Sequence, residues 1–121
     1  EDMEQMCDQV RRWLHEIVHE GGIEPARVAV LSPKSLRTST IWQQRRYGNL
    51  ELVELGSGVG PNEVVFSSIR SFKGGEADVV ILCEFAEGGI GAKPMDLYVA
   101  SSRARHALYV ARLPIEQLDT D

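Results

Sequence analysis

From Met3 to Val18 the apolar residues Met3, Met6, Cys7, Val10, Trp13, Leu14, Ile17 and Val18 recur at intervals of three and four. That spacing gathers them on one face of an amphipathic helix, which Gly21-Gly22 closes. The period then changes. "RVAVLS" (27–32), "LELVEL" (50–55), "EVVFSSI" (63–69), "ADVVILCEF" (77–85) and "HALYVAR" (106–112) are short apolar runs rich in β-branched residues, and they predict strands. Between them, "SLRTSTIWQQRR" (35–46) and "MDLYVASSRA" (95–104) read as helices, and residues 56–62 and 86–95 as glycine-containing loops. The strands are continuously apolar rather than alternating, which predicts a mostly parallel α/β sheet with helices on both faces. Ligands of such sheets collect at the carboxyl ends of the strands. The loops after Ser32, Ile69, Cys83 and Arg112 are therefore the first places to look.

Charge changes this picture only locally. The net charge of −5 argues weakly against a polyanionic partner. Its distribution is uneven, with three Arg and seven acids in residues 1–33 and three acids in 113–121. Residues 34–112 carry ten Lys/Arg against eight Asp/Glu, so the middle of the chain is slightly basic. A length of 121 residues is enough for one domain with its own core. We divide it into an N-terminal helix and linker (1–26), an α/β core (27–112) and an acidic tail (113–121). No apolar run approaches the roughly 18–20 residues of a membrane span, so a cytoplasmic protein without a membrane partner is expected. Cys7 and Cys83 lie far apart with no CxxC spacing, which predicts buried free thiols in a reducing compartment.

Three short motifs invite chemistry and do not sustain it. "HEIVH" (15–19) matches the H-E-x-x-H of zinc proteases, but a helical wheel turns His15 and His19 away from the Val10/Leu14/Ile17 face. No third ligand follows at a suitable spacing, so no metal site is expected. "GSGVGPNE" (56–63) and "GGIGAKP" (88–94) resemble phosphate loops, yet neither satisfies G-x-x-x-x-G-K-[ST] or clearly opens a helix.

Two longer stretches read together carry more. Ser68-Ile69-Arg70-Ser71-Phe72-Lys73-Gly74-Gly75-Glu76-Ala77-Asp78-Val79-Val80 resembles motif V of the superfamily 1 helicases of the UvrD/Rep type, roughly T-x-H-x-x-K-G-L-E-x-D-x-V. Leu97-Tyr98-Val99-Ala100-Ser101-Ser102-Arg103-Ala104 resembles their motif VI, roughly L-Y-V-A-x-T-R-A. Order and separation also fit. The resemblance implies the second, C-terminal RecA-like domain of an ATP-dependent helicase, a P-loop NTPase-type fold without its own P-loop. It implies that Gly74 and Glu76 lie at the nucleotide, with the Glu76 carboxylate accepting from ribose hydroxyls. Arg103 matches the arginine that reaches the γ-phosphate of ATP held by the partner domain. Ser68 and Arg70 match positions facing a single strand of DNA or RNA, and Lys73 and, less directly, Lys34 are the cations placed beside them. If residues 95–104 continue as helix, Arg103 and Arg105 point about 200° apart and cannot both face the nucleotide.

The departures from the pattern are Arg70 for His, Gly75 for Leu, and Ser for Thr at 68 and 102. Walker A, the acidic pair for magnesium and a motif IV arginine are not visible. The expectation is thus half a motor, inactive alone, with ATP and Mg²⁺ bound mainly by an N-terminal RecA-like domain. The alternative is a degenerate domain of this type serving as a nucleic-acid or protein interaction module.

Overall fold

The computed structural model describes residues 2–72, 75–85 and 103–112. Helix α1 (Asp2–Leu14) passes without a break into a π-helical turn (His15–Glu20), where the Gly21 N–H reaches the Glu16 carbonyl at 2.7 Å. A 3₁₀ turn (Pro25–Arg27) delivers strand β1 (Val28–Ser32), followed by α2 (Thr40–Gln44), β2 (Arg46–Tyr47), β3 (Leu50–Glu54), β4 (Glu63–Ser68), β5 (Ala77–Phe85) and β6 (Ala104–Arg112). The six strands form one sheet in the order β2-β3-β4-β1-β5-β6. Every pairing is parallel except β2 with β3. The fold is the expected α/β, mostly parallel arrangement.

Strand β1 sits in the middle, and all five of its residues are buried. One sheet face packs against α1 and α2 through Val10, Leu14, Ile41, Leu52, Phe66 and their neighbours. On the other face Ala29, Leu31, Val80 and Leu82 pack with Ile69 and Phe72. Burying each large aliphatic or aromatic side chain contributes about 1.5–3 kcal/mol, so the double-sided burial of β1 explains its unbroken apolar run. Both faces are covered, but all helices among the described residues lie on the first.

Three local expectations need correction. The helix expected over 35–46 forms only at Thr40–Gln44, because Ser39 is extended and its Oγ accepts the Trp42 N–H at 3.1 Å. Ser and Thr favour such caps over helix interiors, so the Thr38-Ser39-Thr40 run starts the helix late. Residues 45–47 then leave it. Arg45 takes a left-handed φ of 64°, its guanidinium stacked 4.1 Å from the Trp42 ring centroid, and Gly48-Asn49 turns β2 back onto β3. Finally, Arg103 lies in a turn and β6 already begins at Ala104, so the helical-wheel separation of Arg103 from Arg105 does not hold. The helix expected at 95–104 otherwise lies outside the described residues, as does the whole loop at 86–95.

Cys7 and Cys83 are both free and buried. Burial is the main cause that raises both thiols above the ordinary cysteine range, Cys83 well above it. Because the thiolate is the nucleophile, alkylation by iodoacetamide at pH 8 should be at least tenfold slower in the native protein than in denaturant. Equal rates in both conditions would contradict the packing of α1 and β5.

Candidate functional site

The segment resembling motif V is a crossover, and this decides where its parts go. Strand β4 ends at Ser68, and β5, parallel to it across β1, begins at Ala77. The chain must therefore return from the carboxyl edge of the sheet to its amino edge between those residues. Ser32 is in register with Ser68 and Val28 with Val79. At about 3.3 Å per residue the two edges are on the order of 15–20 Å apart. Ile69 and Phe72 hold the return against the sheet, and the Phe72 ring explains Gly75. A Cβ at position 75 would meet ring atoms at 3.1–3.2 Å. The turn at Gly75 is therefore closely packed against Phe72.

At the carboxyl edge, the Ser68 hydroxyl accepts the Ser71 N–H at 3.1 Å and keeps its own proton to donate. Ser68 and Ser71 line a groove of about 450 Å³ with Leu36, Arg37, Leu55 and Phe66. Arg70 is exposed and Lys34 half-exposed. Among the described residues neither Lys34, Arg37 nor Arg70 has a carboxylate partner in an ion pair. Lys73 and Gly74 lie outside the described residues. The loop carrying Lys34 and Arg37 is fixed from below by Glu84, which is 3% exposed and has a left-handed φ of 60°. Its Oε1 accepts from the hydroxyls of Ser32 at 2.7 Å and Ser39 at 2.6 Å, and its Oε2 accepts the Thr40 N–H at 2.9 Å. The Lys34 N–H in turn reaches Ser32 Oγ at 3.0 Å.

At the amino edge, Glu76 is exposed and Arg103 half-buried. The Ala77 N–H donates to the Arg103 carbonyl at 2.9 Å, which joins the two motif-like segments directly. Arg103 Nε is buried with no hydrogen-bond partner among the described residues. Glu76 and Arg103 thus lie at the amino edge, not at the carboxyl edge where the sequence reading looks first for ligand positions. The crossover carries Glu76 to the opposite edge, where the turn before β6 also ends. There, Arg27, Asp78, Arg105 and His106 surround a cleft of about 400 Å³. Asp78, whose side chain is 9% exposed, is paired with Arg27, and Arg105 Nη1 lies 3.6 Å from its other oxygen. Arg105 Nε donates to Glu76 Oε1 at 3.0 Å. That bond, and then the nearby charges of Glu76 and Asp78, raise Arg105 above the usual arginine range.

Arg27, Asp78 and Glu84 were not singled out from the sequence, and Arg105 is named there only as the arginine that points away from Arg103. A charged residue inside an apolar strand, as with Asp78 in "ADVVIL", was the available signal for one of them. His15 and His19 are exposed, as the wheel predicts, with ring centroids 5.1 Å apart and His19 Nε2 3.0 Å from Asn49 Oδ1. No cluster of three or more potential metal ligands occurs among the described residues. The loop at 56–62 turns between β3 and β4, with Glu63 Oε1 accepting the Gly60 N–H at 2.8 Å, and 88–94 lies outside the described residues.

The sheet order, its parallel pairing and the helix-covered face define an α/β protein of RecA-like architecture. The chain is similar in fold to a crystal structure of the C-terminal domain of a possible DNA helicase from Lactobacillus plantarum WCFS1. The TM-score is 0.65 at 24% identity, and the match covers 91% of this chain and 68% of that one. No protein-family model and no curated protein matches the sequence. Among the described residues no helix is long and apolar enough to cross a membrane.

Proposed function

We propose that this chain is the second RecA-like domain of an ATP-dependent helicase or translocase of the UvrD/Rep type, acting with an N-terminal RecA-like domain. In this reading Glu76 and Arg103 face the nucleotide from the amino edge. Ser68, Arg70 and Lys34 face a single strand of DNA or RNA along the carboxyl edge, while Gly74 and Lys73 keep the nucleotide and strand roles that the motif resemblance implies for them. The observation that carries the reading is the bond from the Ala77 N–H to the Arg103 carbonyl. It seats the residue after Glu76 against the turn that bears Arg103, so an acceptor for ribose hydroxyls and a cation for phosphate share one edge. Arg103, unpaired at Nε among the described residues, is suited to stabilise charge developing on a transferring phosphoryl group. The magnesium that accompanies ATP is assigned in this reading mainly to the partner domain.

The strand half of the reading is tested on this chain with a fluorescent oligonucleotide over a range of salt. Two or three phosphate contacts predict a slope of log K against log salt near −1.5 to −2, at roughly −0.7 per contact for single strands. Arg70→Ala should lower the slope by about one contact. Tight association insensitive to salt would instead favour a protein interaction module.

A further inference from the structure

The pairing of β5 with β6 slips beside the cleft at the amino edge. Ala77 faces Ala104 and Val79 faces Ala107, so Asp78 stands opposite both Arg105 and His106. Such a bulge re-aims side chains, and bulges concentrate next to functional sites. Here it turns Arg105 and His106 toward the same carboxylate, with Arg105 Nη1 at 3.6 Å and His106 Nε2 at 4.0 Å from Asp78 Oδ1. Asp78 is itself nearly buried and held on its other oxygen by Arg27, at the entry to β1. The guanidinium of Arg105 therefore has a fixed base, and from that base its Nε reaches Glu76 Oε1 at 3.0 Å.

An isolated surface ion pair with partners as exposed as Arg105 and Glu76, at 61% and 56%, contributes little to stability. Its use here is geometric. A carboxylate has lone-pair sites on two oxygens. Arg105 occupies one site on Oε1, and no described donor is bonded to Oε2. We infer that Arg105, anchored through Asp78 to Arg27, is a positioning residue that holds Glu76 so that its free oxygen accepts from the ribose of the bound nucleotide. This rests on the reading of Glu76 as the ribose contact. Arg105 itself need touch neither sugar nor phosphate.

The test is steady-state ATPase of the full-length protein with ATP, 2′-deoxy-ATP and 3′-deoxy-ATP, on wild type, Glu76→Ala, Arg105→Ala and Arg105→Lys. Wild type should show a KM penalty for loss of a ribose hydroxyl, and Glu76→Ala, which removes the acceptor, should erase it. Arg105→Ala should raise KM for ATP by about threefold to tenfold, with kcat within about twofold, since a mispositioned acceptor weakens binding of substrate and transition state alike. The deoxy penalty should shrink with it. Arg105→Lys keeps the charge and loses the Nε–H, so it should reproduce part of the effect and serves if the alanine variant is unstable. If Glu76→Ala erases the penalty while both Arg105 variants keep it in full, the inference fails and the reading of Glu76 stands. If Glu76→Ala keeps the penalty, or wild type shows none, the ribose reading fails and takes the inference with it.

Discussion

Arg103→Ala in the full-length protein should abolish nucleic-acid-stimulated ATP turnover while the fold survives and nucleotide affinity changes far less. Arginines delivered from one domain to a phosphoryl group on another contribute about 10³–10⁵ in kcat, roughly 4–7 kcal/mol of barrier. The effect concentrates on the chemical step because the charge it meets is largest in the transition state. Arg105→Ala should lose much less. The distinction no longer rests on opposite helix faces. It rests on partners: Arg105 is committed to Glu76 and Asp78, whereas Arg103 Nε has none among the described residues. Turnover and a nucleotide-binding titration on both variants decide the matter. If Arg103→Ala stays within about tenfold of wild type and Arg105→Ala is dead, the motif is out of register by two residues. If neither matters, the likeness to a motor is inherited form alone.

Glu84→Ala should destabilise the domain by about 3–5 kcal/mol, since three donors lose their acceptor at about 1–3 kcal/mol for each one left unsatisfied in a buried position. The hydroxyls of Ser32 and Ser39 and the Thr40 N–H would each lose their acceptor inside the protein. The backbone supplies an internal control. A left-handed φ costs an L-residue about 1–2 kcal/mol that glycine does not incur. Glu84→Gly should therefore recover about 1 kcal/mol relative to Glu84→Ala, although it is the smaller residue. Urea unfolding of this chain should show the alanine midpoint falling by about 2 M with little change in slope. A shift below about 0.5 M would mean that the network is dispensable.

What the sequence made legible follows from the range of the forces involved. The strands were readable because β1 and β5 are buried on both faces, which leaves an unbroken run of Val, Ile and Leu that no other local structure explains as well. Helix α1 was readable from a stripe of apolar residues spaced for one face. The β2–β3 hairpin was not, since Tyr47-Gly48-Asn49-Leu50 follows two arginines and a helical pattern that masks a two-residue turn. Gly48 with φ 67° at the first turn position was the cue available. Arg103 is named from its motif, but nothing in the helix-like run Leu97–Ala100 signals that β6 begins at Ala104. Glu84 was invisible for a different reason. Its donors lie 44, 45 and 52 residues away, and a single acid after "VVILC" reads only as the end of a strand. The separation of Glu76 from Ser68 onto opposite edges is likewise a property of the crossover, which appears only once the strands flanking it are known to run parallel.

The place of β1 at the centre of the sheet also bears on how the chain is made. It is the first strand in sequence, yet Ala29 pairs with Val65 on one side and Val80 on the other. A hairpin can close as it emerges; this strand must wait. At about 5–20 residues per second of synthesis, the segment Val28–Leu31 spends seconds without its neighbours. Such non-local pairing is slow to form and exposes apolar strand surface meanwhile. A chain ended before Val79 would carry that exposure permanently, with one side of β1 unpaired, and should aggregate more readily than the longer chain.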